Sequence, residues 1–161
     1  MPNSLCYTTS GNVQYDRGSS KTMLPFEFVV DGPPVSYQTR GPQRKERLEA
    51  WKTKVRSAAR EKWPIKVEPL RTGLKLIVTY YHDGIAVRID NDNMIKPIQD
   101  ALNGFVYEDD RQITDTQVRK TDINGSFRVR GMSPVLAEGF CRGNEFIHVR
   151  IEVAPRHEEL P

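Results

Sequence analysis

The sequence is poor in the residues that build disulfide frameworks and zinc sites. Its 161 residues include two cysteines, Cys6 and Cys141, and three histidines, and none of these has the spacing of a zinc-binding motif. No apolar run approaches the roughly 20 residues that a transmembrane helix requires, and the N-terminal residues lack the apolar segment of a signal peptide. These absences argue against a disulfide-stabilised secreted fold, a zinc protein and a membrane protein.

Length and charge indicate the number of domains and the kind of partner. A chain of 161 residues fits one domain with a real hydrophobic core. A net charge of +3 and a pI near 8.9 suit a nucleic-acid partner. Residues 1–23 are rich in Ser, Thr, Asn and Gly and predict a flexible arm. We therefore expect a domain over 24–155, with an insertion at 125–145 and a C-terminal tail at 156–161.

Four segments are predicted to form the strands of a sheet, and two of them, 73–81 and 147–153, have alternating apolar residues. The predicted strands are 26–30, 73–81, 113–122 and 147–153. In the last of these, Ile147, Val149, Ile151 and Val153 should face the core, and His148, Arg150 and Glu152 should face solvent. The insertion at 125–145 fits either an extra hairpin or a mobile basic flap.

Apolar residues at helical spacing predict two main helices. The first covers 44–63, with an apolar stripe formed by Leu48, Trp51, Val55 and Ala58. The second carries Ile95, Ile98, Leu102 and Phe105. The pattern as a whole indicates an α+β fold, in which a mixed sheet of about four to six strands packs with these helices in one domain.

A cluster of acids lies where the second helix begins. Asp90 and Asp92 fall within the run Asp-Asn-Asp-Asn, and Asp109 and Asp110 follow within 21 residues. On an extended backbone Asp90 and Asp92 would point to the same face. Oxygen ligands without a nearby cysteine favour Mg²⁺ or Mn²⁺ over zinc. This cluster is a candidate metal site.

Two other interpretations of the acids must be weighed. Asp and Asn are common at turns and helix N-caps, so Asp92 or Asn93 could be a cap, with Lys96 and Asp100 as a surface pair. A calcium loop counted from Asp90 would need Gly at its sixth position and Glu at its twelfth. The sequence has Ile and Ala at those positions, which excludes the calcium loop but leaves the cap open.

Lys96 adds a second chemical group to this segment. Asp92, Lys96 and Asp100 are spaced four apart and share one helix face. A lysine among carboxylates balances their charge when no metal is bound and can meet a phosphate oxygen when one is. Pro97 is expected close to the helix start, where its missing N–H costs least.

The acidic segment resembles the RusA family of crossover-junction endodeoxyribonucleases. The resemblance rests on residues 90–96, which read Asp-Asn-Asp-Asn-Met-Ile-Lys, on the run Asp-Ala-Leu-Asn-Gly at 100–104, and on Asp-Asp-Arg-Gln-Ile at 109–113. It covers roughly 24–123 and 145–154. It implies a RusA-like fold, metal binding by Asp90, Asp92 and Asp110, and a catalytic role for Lys96. Asp100 and Asp109 also match the pattern.

The resemblance also implies partners. The Pro-Pro-Val-Ser loop at 33–36 is similar to a loop that faces DNA in the family. Mg²⁺, with Mn²⁺ as a substitute, would be the cofactor, and a homodimer would present two sites to a four-way DNA junction. A cytoplasmic location is expected, for a protein that is either associated with the nucleoid or encoded by a phage or mobile element. The basic residues of the sequence, taken separately, give the candidate DNA contacts, although a basic helix face is also typical of ordinary solvated surface. The candidates are Arg40, Lys52, Arg56, Arg88, Arg119 and Lys120.

Three functions follow as hypotheses. The first is a metal-dependent endodeoxyribonuclease that resolves four-way junctions in recombination and repair. The second is a nuclease selective for forks, flaps or phage DNA. The third is a non-catalytic DNA-binding module in which the acids only cap a helix.

Overall fold

A computed structural model describes residues 23–84, 88–156 and 158. The expected N-terminal arm, the centre of the connection before Asp90 and most of the tail lie outside these residues. The described part has four strands, namely β1 (Phe26–Asp31), β2 (Leu74–His82), β3 (Ile113–Asp122) and β4 (Phe146–Val153). Its helices are α1 (Arg44–Lys62), α2 (Asn91–Leu102) and α3 (Pro134–Cys141), and a 3₁₀ turn covers Asp110–Gln112. The predicted α+β fold is confirmed.

One mixed sheet organises the chain. Its strand order is β1-β4-β2-β3. β4 pairs antiparallel with β1 and β2, whereas β2 and β3 pair parallel. Parallel neighbours require a long crossover, and α2 lies within it. Because α2 contacts β3, the acidic segment at the start of α2 lies on the β3 side of the sheet.

One face of the sheet and helices α1 and α2 enclose the main core. Leu74, Leu76, Val78 and Tyr80 of β2 are buried on this face, as the alternation predicts. Of the stripe expected on α1, Trp51 and Val55 are buried, but the third fully buried position is Ala59 and not Ala58. None of the helices in the described residues is long and apolar enough to cross a bilayer.

The second face of the sheet is covered where α3 lies against it. The predicted hairpin or flap at 125–145 is wrong, because this segment contains α3, which packs on β1 and β4. Gly139 allows the close approach, since an added Cβ would lie 2.5 Å from the Phe146 ring. The outward assignment of His148 is wrong for the same reason: it is 7% exposed. Val153, expected inside, is 53% exposed at the strand end.

A buried carboxylate joins α3 to the sheet. Glu27 on β1 accepts hydrogen bonds from the Ser133 hydroxyl, His148 Nε2 (3.1 Å) and Arg150 Nη1. Ser133 is also the N-cap of α3, where its side chain accepts from the Leu136 N–H at 3.2 Å. Ser133 and His148 both bond to Glu27 Oε2, so this group is a hub for packing and not a nucleophile with its base.

This hub should make the fold sensitive to acid. Burial lowers the pKa of His148, although Glu27 partly opposes the shift. Burial also opposes ionisation of Glu27, but hydrogen bonds from Ser133 and His148 and the charge of Arg150 outweigh it and lower the pKa of Glu27. Both groups bind protons more readily in the unfolded chain, so stability falls with falling pH. The contribution of His148 to stability is lost as the pH falls below its ordinary pKa of 6.5. The contribution of Glu27 is lost below its ordinary pKa of 4.5.

Urea unfolding at pH values from 7.5 to 5 checks this expectation. The free energy of unfolding should decrease over that range in the wild type and decrease less in His148→Gln, which keeps a donor for Glu27 but cannot be protonated. An equal decrease in both proteins would show that His148 is not responsible.

Candidate active site

The acidic segment forms the beginning of α2. Asp90 occupies the N-cap position with extended backbone angles, and Asp92 lies in the first helical turn. The two residues are therefore not on one extended stretch, as their spacing had suggested. The Asp90 side chain makes no capping hydrogen bond; its Oδ2 lies 3.5 Å from Asn93 Nδ2. Both carboxylates are exposed at the helix end that favours negative charge.

Lys96 lies between two other carboxylates. Its Nζ is 2.9 Å from Asp100 Oδ1 and 2.9 Å from Asp110 Oδ2. Hydrogen bonds to Asp110 and Asp100 raise the pKa of Lys96, and the same contact with Lys96 lowers the pKa of Asp110. The side chain of Lys96 is 41% exposed. A charged ammonium is thus held by two ionised acids and remains open to an arriving anion.

The residues next to Asp110 hold it in position. Asp109 caps the 3₁₀ turn: its Oδ1 accepts from the Arg111 N–H at 2.9 Å, and its own N–H donates to Gln112 Oε1 at 2.9 Å. Gln112 Nε2 also donates to the carbonyls of Leu70 and Thr72. This reciprocal pattern is a capping box, and the Asp-x-x-Gln spacing could have predicted it. Asp109 is therefore a structural residue that leaves the Asp110 carboxylate free to meet Lys96.

Pro97 connects α2 to the 33–39 loop. It is not close to the helix start, because it is the seventh residue of α2. Its missing N–H leaves the Asn93 carbonyl without a helical partner, and the Tyr37 N–H donates to that carbonyl at 2.9 Å. The proline thus creates an acceptor onto which the loop docks, directly beside Asp90 and Asp92.

Replacing Pro97 with Ala tests this docking. The new N–H would compete with Tyr37 for the Asn93 carbonyl, so we expect faster amide exchange at Tyr37 and DNA binding weakened several-fold. The fold should persist, since alanine suits a helix interior. Hydrogen exchange and a DNA titration measure the two effects, with Gln99→Ala on the same helix as a control. Unchanged Tyr37 protection in Pro97→Ala would contradict the docking role.

Three of the candidate DNA contacts lie around α2. Arg56 Nε donates to the Ala101 carbonyl at 2.8 Å, so it satisfies the C-terminal end of α2. Lys52 pairs with Glu49 at 2.8 Å, and Lys52, Arg56 and Asp100 line one cleft. Lys120 donates to the Ile89 carbonyl, next to Asp90. These cations border the acids, but Arg56 and Lys120 also position α2.

The other three candidates are Arg40, Arg88 and Arg119. Arg40 and Arg88 are exposed. Arg40 follows the 33–39 loop, and Arg88 lies two residues before Asp90. Arg119 pairs in register with Thr79, on the sheet face turned away from α2. The sheet therefore separates Arg119 from the acids.

The side chains of these acids are suitable ligands for a hard cation. Asp90, Asp92 and Asp110 offer only oxygen donors, which Mg²⁺ and Mn²⁺ prefer. Within 23–84, 88–156 and 158, however, no three His, Cys, Asp or Glu side chains are grouped so that they could hold a metal ion. In this structure Asp110 instead contacts the ammonium of Lys96, which also contacts Asp100. The donor set fits a divalent ion, and such an ion would have to displace Lys96 from Asp110.

Comparison with protein families gives one match. The family described as Endodeoxyribonuclease RusA matches residues 33–130, which is more than half of the chain. The matched range contains the 33–39 loop, α1, β2, α2, the 3₁₀ turn and β3, and it leaves β1, α3 and β4 outside. A comparison with curated proteins finds no match.

Proposed function

The chain belongs to the RusA endodeoxyribonuclease family, and we propose that it is a metal-dependent endonuclease that resolves four-way DNA junctions. The observation that carries the proposal is the contact of Lys96 with Asp100 and Asp110, beside the exposed Asp90 and Asp92. A non-catalytic module would need these acids only as caps. Asp109 serves that purpose, whereas the side chains of Asp90 and Asp110 do not cap a helix.

Phosphodiester hydrolysis is slow because the phosphate repels a nucleophile and the leaving oxygen gains charge. A divalent ion, when bound, activates water and stabilises the leaving oxygen; Asp90, Asp92 and Asp110 would hold it. The residues of the chain supply the remaining electrostatics. Asp109 and Gln112 fix the turn that presents Asp110, and the helix N-terminus favours the charges of Asp90 and Asp92.

The Lys96 ammonium can exchange one of its carboxylate partners for a phosphate of the substrate. An ammonium has three donors, and only two are used by Asp100 and Asp110. When a phosphate approaches, Lys96 can donate to its oxygen and remain anchored by Asp100. Asp100 is therefore a positioning residue, because it keeps the ammonium near Asp110 after that acid takes another partner.

The basic groups around α2 supply a surface for phosphates. We propose that the DNA backbone contacts Lys52, which lines a cleft with Asp100, together with Arg40 and Arg88. Such contacts position a protein without reading sequence. Selectivity for a branched substrate then has to come from DNA shape. A two-fold dimer with one site per subunit would match a two-fold junction and give paired cuts. We propose a cytoplasmic location for this activity.

The experiment compares a labelled four-way junction, a replication fork, a flap and a linear duplex at equal concentration with Mg²⁺. We expect cleavage of the junction by two nicks on opposing strands, well above cleavage of the other substrates. Preferential cleavage of the fork or flap would show that this DNA, and not the four-way junction, is the substrate. Binding without cleavage of any DNA would show that the protein is a non-catalytic binding module.

A further inference from the structure

A second group of exposed side chains lies on the sheet face turned away from α2. Phe127 is 43% exposed, Val129 is 61% exposed and Met132 is 37% exposed. They belong to the irregular segment 126–132 between β3 and α3. With Tyr81 and Phe140 beneath them, they line an open cleft. We call these five residues the Phe127 patch.

The Phe127 ring is held in place although it is exposed. Its centroid lies 6.2 Å from that of Tyr81 and 5.6 Å from that of Phe140, both in edge-to-face geometry. Phe140 in turn packs on Phe146 at 5.4 Å. A ring fixed from below loses little conformational entropy when a ligand covers it. The patch is therefore a preformed apolar platform.

The charges around the platform are of one sign. Arg128 and Arg130 alternate with Phe127 and Val129, also line the cleft, and form no ion pair with any residue that the structure describes. No acid is among the residues lining the cleft. Arg142, from the same insertion, differs: it pairs with Asp31 at 2.7 Å and with Glu138 at 2.6 Å. Arg142 is therefore engaged within the fold, whereas Arg128 and Arg130 remain available for an anion.

An aromatic surface bordered by arginines without ion-pair partners is suited to binding single-stranded nucleic acid. Bases stack on aromatic rings, and arginines meet the phosphates on either side. A protein partner with an apolar surface would gain nothing from two unpaired cations. We infer that the Phe127 patch binds unpaired bases of the DNA substrate, such as those exposed at a branch point. The inference rests on the proposed function only in taking DNA as the ligand, since the patch lies across the sheet from the acids.

The test is a titration of a fluorescent oligothymidylate of about 12 nucleotides, followed by anisotropy in EDTA so that no cleavage occurs. Phe127→Ala should weaken binding about 10-fold, in line with the loss of one stacked base. Phe127→Leu, which keeps apolar volume without a ring, should weaken it similarly, and Phe127→Tyr should bind like the wild type. Replacing Arg128 and Arg130 together with Gln should flatten the slope of log affinity against log salt by about 1.4, since each phosphate on a single strand contributes about 0.7.

The outcomes separate the alternatives. Wild-type affinity in Phe127→Ala, Phe127→Leu and the arginine double variant, with circular dichroism showing a folded protein, would overturn the inference. A shift of Phe127→Ala from dimer to monomer in sedimentation, with oligothymidylate affinity unchanged, would also overturn it and make the patch a subunit interface. Junction cleavage with Mg²⁺ is recorded in parallel. Its failure in the wild type would count against the proposed function, whereas a Phe127-dependent affinity would still support the patch.

Discussion

Asp110→Asn should bind a four-way junction as tightly as the wild type, or more tightly, and should cleave it at least about 10²-fold more slowly. Loss of one charged group from a catalytic centre costs about that much. The substitution keeps the shape of the side chain, and the turn is held by Asp109 and Gln112, so the fold should survive. Removing a negative charge also removes repulsion of the DNA backbone. Gel-shift and single-turnover cleavage assays measure the two effects.

The neighbouring residue provides a matched control. Asp109→Asn makes the same chemical change one position away, and Asn caps a helix as well as Asp does. It should retain close to wild-type cleavage. Asp90→Asn and Asp92→Asn should behave like Asp110→Asn. Wild-type rates in Asp92→Asn, or equal losses in Asp109→Asn and Asp110→Asn, would contradict the assignment of the site.

Lys96→Ala should reduce the cleavage rate about 10²-fold and change the free energy of unfolding by no more than about 1 kcal/mol. The ammonium is 41% exposed, and exposed ion pairs contribute only about 0–1 kcal/mol. The catalytic loss follows because no other described side chain takes the position of the ammonium between Asp100 and Asp110. Urea unfolding and single-turnover kinetics test the two parts.

The metal dependence of the same variant separates a catalytic from a structural role. Because Lys96 occupies Asp110, a metal ion would have to compete with it, so Lys96→Ala should bind Mn²⁺ more tightly while it cleaves more slowly. Asp100→Asn should give a smaller loss of rate, because the amide oxygen of Asn can still accept a hydrogen bond from Lys96. A Lys96→Ala protein that unfolds easily and cleaves normally after refolding would show that Lys96 is only a structural ion-pair partner.

Local patterns predicted most of the fold. Alternation placed β2 within a residue of its observed bounds, because Leu74, Leu76, Val78 and Tyr80 of this strand all contact the core. Helical spacing likewise placed α1. The same rule failed at His148 and Val153, since alternation shows which residues share a face but not what covers the other face. That information lies in α3, whose packing depends on Gly139 fitting against Phe146, a long-range fit with no periodic signal.

The site was predictable where its contacts are local. Lys96 and Asp100 are one helical turn apart, and their contact follows from that spacing. The contact of Lys96 with Asp110 was not predicted. The family resemblance assigned both residues to the site, but their contact spans the turn between α2 and β3. The role of Pro97 could not be inferred at all. It depends on a carbonyl that meets Tyr37, a residue about 60 positions earlier in the chain.

The central claim, a metal-dependent nuclease centre built on Asp90, Asp92, Lys96 and Asp110, is tested most directly by one cleavage measurement. Wild-type protein is incubated with a labelled four-way junction in EDTA and then with increasing Mg²⁺. The account predicts a bound and intact junction in EDTA and paired nicks that appear as Mg²⁺ is added. Cleavage at the same rate in EDTA, or a bound junction that stays intact at every Mg²⁺ and Mn²⁺ concentration, would contradict it.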